Sequence, residues 1–150
     1  MVDSLSKSHR SWNMSRIKGR DTGPELIVRS VIHRLGYRFT VNGPWNKQLP
    51  GRPDIVLPRL EMIVFVHGCF WHRHGCKDTS TPKTRTEWWQ NKFDANVARD
   101  KRNVRALRRD GWSVITVWEC QTTHRKLPVL ARRLDRILSQ RDRELDSRHQ

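Results

Sequence analysis

Apolar positions along the chain fall into short, well-separated patterns. Ile27, Val31 and Leu35 recur every four residues and predict a first helix near 24–35, with Glu25 at its start. Asp21 and Thr22 are candidate caps, Pro24 suits a first helical position, and Gly36 ends the pattern. Tyr37, Phe39 and Val41 alternate with Arg38 and Thr40, as a half-buried strand would. After a loop rich in Pro and Gly, Ile55-Val56-Leu57 reads as a short strand. Met62-Ile63-Val64-Phe65-Val66 is apolar on both faces, the pattern of a central strand covered on both sides. A second helix is predicted from around Thr84–Trp88 to Arg109, marked by Trp89, Phe93, Val97, Val104 and Leu107. Gly111 stops it, and Trp112 to Trp118 forms another strand. A last amphipathic helix covers about 128–140, with Leu130, Leu134, Ile137 and Leu138 on its apolar side. The order of elements predicts an α/β fold, a mixed sheet flanked by helices.

Charge alters this picture. Lys and Arg number 30 against 15 Asp and Glu, a formal net charge of +15 in 150 residues. Such an excess repels itself in a compact state, and a polyanion relieves it. The charge is spread along the whole chain instead of forming one basic amphipathic helix, which favours nucleic acid over a membrane surface. No apolar run approaches the ~20 residues that span a bilayer, and the N-terminus lacks the apolar core of a signal peptide. A cytoplasmic location is expected. The length suits one domain, taken as 21–140, between a basic N-terminal arm at 1–20 and a charged, frayed tail at 141–150.

The segment from His67 to Cys76 is dense in Cys, His and aromatic residues. Cys69, His74 and Cys76 lie within eight residues, and Cys120 follows the strand ending at Trp118. If the two strands are neighbours, three thiols and an imidazole meet at one end of the sheet. A Cys3His set is a closed tetrahedral zinc site that contributes folding energy. His72 competes as fourth ligand, with His67 a weaker choice. Three buried apolar thiols would be the plainer reading.

Phosphodiester hydrolysis needs a metal on carboxylates, an activated water and a proton donor. Asp54 follows a Gly-Arg-Pro turn and opens a strand, a fixed place for a magnesium ligand, although a surface turn aspartate would look the same. Pro53-Asp54, followed by Phe65-Val66-His67, has the layout of the PD-(D/E)xK nucleases. Phe65 replaces that superfamily's second acid, and His67 its lysine.

Asn13-Met14-Ser15, Arg20-Asp21-Thr22, Leu49-Pro50-Gly51-Arg52-Pro53-Asp54, His67-Gly68-Cys69-Phe70-Trp71-His72, Thr84-Arg85-Thr86-Glu87 and Trp118-Glu119-Cys120 occur in this order. Together they resemble the very-short-patch mismatch repair endonucleases of bacteria over about residues 10–140. That resemblance implies a restriction-endonuclease-like fold with a structural zinc. It implies nicking of one strand of double-stranded DNA, 5′ of the thymine in a T·G mismatch left by 5-methylcytosine deamination. By the same resemblance Asp54 binds magnesium (Mg2+), and the main-chain carbonyl of Val66, where Thr can stand in the family, completes that site. Glu25 holds water at the metal. His72 is general acid or base with His67 assisting, and Cys69, His74, Cys76 and Cys120 bind zinc (Zn2+).

Phe70, Trp71 and Trp89 are the candidate wedges between base pairs, because large rings beside catalytic groups suit insertion where unstacking costs least. The resemblance implies the same three, with Trp88 the neighbouring alternative. Arginines of the 88–109 helix are expected on phosphate. The resemblance also implies a mismatch-repair matchmaker protein and a cytosine-5 methyltransferase as pathway partners. A single-strand cut needs one active site, so a monomer is expected. Two other readings fit the charge: a non-catalytic zinc-containing DNA-binding module, and a nuclease of the same fold with another nucleic-acid substrate.

Overall fold

A computed structural model describes residues 22–74 and 81–148, apart from the side chain of Trp71. Helix α1 spans Gly23–Arg34. The Thr22 hydroxyl accepts from the Glu25 N–H at 3.4 Å, and Pro24 lies in the first turn, as the cap pattern predicts. The buried stripe is Glu25, Val28 and Ile32, with Val31 and Leu35 packed at its edge. It therefore lies one position from the expected Ile27-centred face.

Three strands follow: β1 (Ile55–Leu57), β2 (Met62–His67) and β3 (Ser113–Trp118). Their order is β1-β2-β3, with β1 antiparallel and β3 parallel to β2. The sheet is thus mixed, and the apolar-on-both-faces segment is its central strand. The period of two divides the core. Ile55, Leu57, Met62 and Val64 join Val28, Ile32, Leu130, Leu134 and Leu138. Val56, Ile63 and Phe65 join Leu107 and Val114. Helices α1 and α5 (Leu127–Arg148) cover one face, and α4 (Thr86–Arg109) covers the other.

Three elements depart from the expected pattern. The alternating segment Tyr37–Val41 makes a single bridge, Thr40 to Val56, rather than a strand. Its apolar side chains still pack on the core, so alternation reports burial here without a full ladder. The loop after it contains a short helix, α2 (Pro44–Gln48). Helix α5 continues through Arg148, well past the expected end near 140. Its stripe runs on through buried Arg141 and Leu145. The Arg141 guanidinium donates to the carbonyls of Leu60 at 2.8 Å and Glu61 at 3.4 Å. An arginine on the apolar face therefore pins the helix end to the β1–β2 turn, its stem packed and its head satisfied. No helix among the described residues is long and apolar enough to cross a membrane.

Candidate active site

The ends of β1 and β2 bring the first candidate groups together. Asp54 immediately precedes β1, and its Oδ2 accepts the Val66 N–H at 2.7 Å. The turn leading to Asp54 is held from two sides. Gly51 has φ +80°, and a Cβ there would lie 3.1 Å from the Phe65 ring and 3.0 Å from the Asn103 side chain. Only glycine lets the turn settle on β2 and α4 in this way. Phe65 is 5% exposed and serves as the floor for this turn.

The second support is Asn46 of α2, which is buried at 4% exposure. Its Nδ2 donates to the carbonyls of Thr40 and Pro53, both at 3.0 Å. Its Oδ1 accepts from the Thr40 hydroxyl at 2.7 Å and the Gly43 N–H at 3.2 Å. A fully satisfied buried amide makes the backbone before Asp54 rigid.

Burial raises the Asp54 carboxyl from its ordinary range to about 7. The Val66 hydrogen bond opposes this, the nearby Glu25 charge adds to it, and His72 and Arg29 partly offset it. Glu25 is 3% exposed and lies 3.3 Å from the Arg29 guanidinium. Two carboxylates so close in a dry setting resist sharing negative charge, and a bound cation would relieve them.

Beyond β2, a one-turn helix α3 (Cys69–His72) turns His72 back over the strand end. The His67 and His72 rings stack with centroids 3.8 Å apart and planes 7° from parallel. His72 Nδ1 lies 2.5 Å from Asp100 Oδ2. Asp100 comes from α4 and stands in none of the sequence motifs that mark the site. Burial favours the neutral form of Asp100, but the His72 hydrogen bond and the charges of His72, His67 and Arg99 outweigh it and lower its pKa. His67 moves the other way, to about 4, because it is buried and faces His72; Asp100 only partly compensates. His67 stays neutral near pH 7, while Asp100 orients the His72 ring through its Nδ1.

His67, His72 and Asp100 each offer one ligand atom within 4.8 Å of the others. Their geometry is a poor cage for one shared cation. Ring-nitrogen lone pairs lie in the ring planes, so stacked imidazoles hold theirs in two parallel planes that do not meet at one point. Asp100 already occupies His72 Nδ1.

A family model for the DNA mismatch endonuclease Vsr matches residues 2–78. The type II nicking enzyme V.XorIIP of Xanthomonas oryzae is 45% identical over 138 residues, 92% of this chain and 98% of that protein. The DNA mismatch endonuclease Vsr of Escherichia coli is 43% identical over 120 residues, 80% of this chain and 75% of that protein. The type II nicking enzyme V.NmeAIP of Neisseria meningitidis is 37% identical, covering 92% of this chain and 95% of that protein. The chain belongs to the Vsr family.

In this Vsr chain the expected metal-ligand thiols leave the sheet at one end. Strands β2 and β3 are neighbours, with His67 opposite Trp118. Cys69 and Cys120 therefore each lie two residues beyond a matched strand end. The His74 N–H bonds the Cys69 carbonyl at 3.3 Å, and its ring stacks on Trp118 at 4.3 Å. Neither Cys69 nor Cys120 is in a disulfide. Cys76 lies outside the described residues, as does the 1–20 arm. Among the described residues, Cys69, His74 and Cys120 do not form a converged ligand group of their own.

Of the expected wedges, Phe70 and Trp89 are half-buried in an aromatic cluster. Trp89 stacks on Phe93 at 5.7 Å, and Phe70 stands edge-on to both, at 5.7 Å and 5.1 Å. The Trp71 ring lies outside the description.

Proposed function

We propose that this Vsr-family chain nicks one strand of duplex DNA on the 5′ side of the thymine in a T·G mismatch, by magnesium-dependent hydrolysis. The observation that carries this reading is the juxtaposition of a half-buried, cation-seeking Asp54 with the His72–Asp100 pair at one end of a rigid sheet. A non-catalytic DNA-binding module would have no use for a buried Glu25 and a half-buried Asp54 beside an oriented imidazole. The +15 net charge fits a DNA substrate.

The residues present fit a magnesium ion. Asp54 offers its free carboxylate oxygen, and Glu25 adds a second acid within electrostatic reach. The Val66 carbonyl turns toward the same edge of β2 as the Val66 N–H, because one residue's N–H and C=O point the same way in an extended strand. It would complete the ligand set without help from the Val66 side chain. Magnesium there would supply charge neutralisation at the scissile phosphate. The other roles fall to the chain. His72 Nε2 transfers the proton, Asp100 holds the ring and stabilises its charged form, and neutral His67 supports it through their stacked faces. Glu25 orders water on the attacking side.

Zinc held by Cys69, His74, Cys76 and Cys120 would tie β2 to β3 beyond their ends and fix α3, which carries His72. Phe70, Trp71 and Trp89 would then unstack the duplex from a rigid base, at lowest cost where pairing is already faulty. The chain is proposed to act as a cytoplasmic monomer, in one pathway with a cytosine-5 methyltransferase and a mismatch-repair matchmaker protein. The test is a nicking assay on labelled T·G, T·A and single-stranded substrates with and without magnesium. Strand-specific nicking confined to T·G supports the reading; equal cutting of all three would point to a same-fold nuclease with another substrate.

A further inference from the structure

Trp88 is an exposed tryptophan for which the fold provides no packing role. It is 45% exposed and belongs to neither core cluster. Its ring is nonetheless firmly placed. It stands edge-on to Trp89 at 4.8 Å and 85°. Trp89 in turn stacks on Phe93, which is fully buried. Two cations flank the ring: the Arg85 guanidinium is 5.0 Å from its centroid and the Lys92 ammonium 5.7 Å. Lys92 lies four residues after Trp88, so the helix places it on the same face one turn on, while Arg85 caps the start of α4 with φ +55° and brings its guanidinium over the ring from the N-terminal side.

We propose that Trp88, with Arg85 and Lys92, is a stacking platform for one unpaired nucleotide of the DNA substrate, outside the Phe70–Trp71–Trp89 wedge. The proposal rests on the reading of the chain as a DNA-cutting enzyme. A nucleotide presents one flat base with a phosphate on each side along the strand, and the platform presents one flat ring with a cation on each side. Exposed cation–π contacts are weaker than base–aromatic stacking. An arriving base therefore displaces Arg85 and Lys92 from the ring, and the adjacent phosphates receive them. Trp88 abuts Trp89, and Trp89 abuts Phe70, two residues before His72. The platform thus holds a displaced nucleotide on the flank of the reacting strand, and faulty pairing makes such a nucleotide available.

The experiment is fluorescence-anisotropy binding of a T·G duplex, without magnesium, to wild type and to Trp88→Ala, Trp88→Phe, Trp88→Leu and Lys92→Gln. Melting curves check that each variant folds. Trp88→Ala and Trp88→Leu should weaken binding about 10-fold or more, and Trp88→Phe should recover most of the loss. The Trp88 variants should keep the wild-type salt slope, whereas Lys92→Gln should lower it by about one phosphate contact. Binding by Trp88→Ala within about twofold of wild type, or rescue by leucine equal to that by phenylalanine, overturns the platform. Nicking by wild type is measured alongside with magnesium added. Wild type that binds without nicking would defeat the functional reading alone, because the platform is judged on binding. Wild type that binds no DNA would defeat both.

Discussion

Asp100 reaches His72 from a helix 28 residues further along the chain and holds its Nδ1 at 2.5 Å. In the proposed mechanism that contact orients a histidine of the cysteine-rich segment for proton transfer. Asp100→Asn keeps the shape but presents an amide that can also donate, which lets the ring adopt the wrong tautomer. Nicking should fall by about 10²–10⁴-fold, while magnesium-free DNA binding and the melting temperature change little. Single-turnover rates for Asp100→Asn, His72→Ala and the double variant check this. The double variant should be little worse than His72→Ala, because the two side chains act as a unit. Full additivity would separate their roles.

Asp54 and His67 shape the pH dependence of the protein without added magnesium. Asp54, raised from 3.8 to about 7, binds more protons folded than unfolded, so its contribution to stability falls as pH rises through that window. His67, lowered from 6.5 to about 4, binds fewer protons folded, so its contribution rises with pH between those values. The two effects oppose each other between about 4 and 6.5. Asp54→Asn can keep the bond from the Val66 N–H and removes one side of the balance. The variant should gain stability relative to wild type as pH rises from 4 to 7, reaching roughly 2–4 kcal/mol at pH 8. Urea unfolding at several pH values gives the difference. A difference independent of pH would mean that Asp54 titrates normally.

Asn46 is expected to act on both stability and rate. Asn46→Ala removes the bonds to Thr40, Gly43 and Pro53; the Thr40 carbonyl keeps the Val56 N–H, but the Pro53 carbonyl loses its buried amide donor. Stability should fall by about 1–3 kcal/mol. Nicking should fall as well, since the backbone that aims Asp54 is released. A stability loss with an unchanged rate at low temperature would confine Asn46 to folding.

Zinc is tested independently of activity. Protein purified without added metal should carry one zinc per chain, and Cys120→Ser should lose metal and stability together. Metal-free wild type with unchanged melting behaviour would remove zinc from the account.

The sequence showed some parts of this site much more clearly than others. The central strand β2 was visible because both its faces are apolar, whereas its parallel pairing with β3, of which Val114 and Val117 alone are buried, entered only as a condition for the zinc cluster. Asp54, His67 and His72 stood in dense, unusual motifs. Asp100 did not, since it sits on a helix crowded with arginines. Its signal was phase: Phe93, Asp100 and Leu107 are seven residues apart, so an acid interrupts a buried stripe. Arg141 carried the same kind of signal, three residues after Leu138 and four before Leu145 on the face of α5 that was expected to fray. Asn46 gave no periodic signal, because its work is done by side-chain bonds to backbone that appears only once the chain has folded.

The most direct measurement is the rate of strand nicking of one duplex containing a single T·G pair, beside its T·A counterpart, by wild type, Asp54→Asn and His72→Ala with magnesium. The account predicts one cut, 5′ of the mismatched thymine, by wild type on the T·G duplex. It predicts little or no cutting by either variant, although both still bind the DNA. Nicking by Asp54→Asn at near the wild-type rate, or equal nicking of T·G and T·A by wild type, would contradict it.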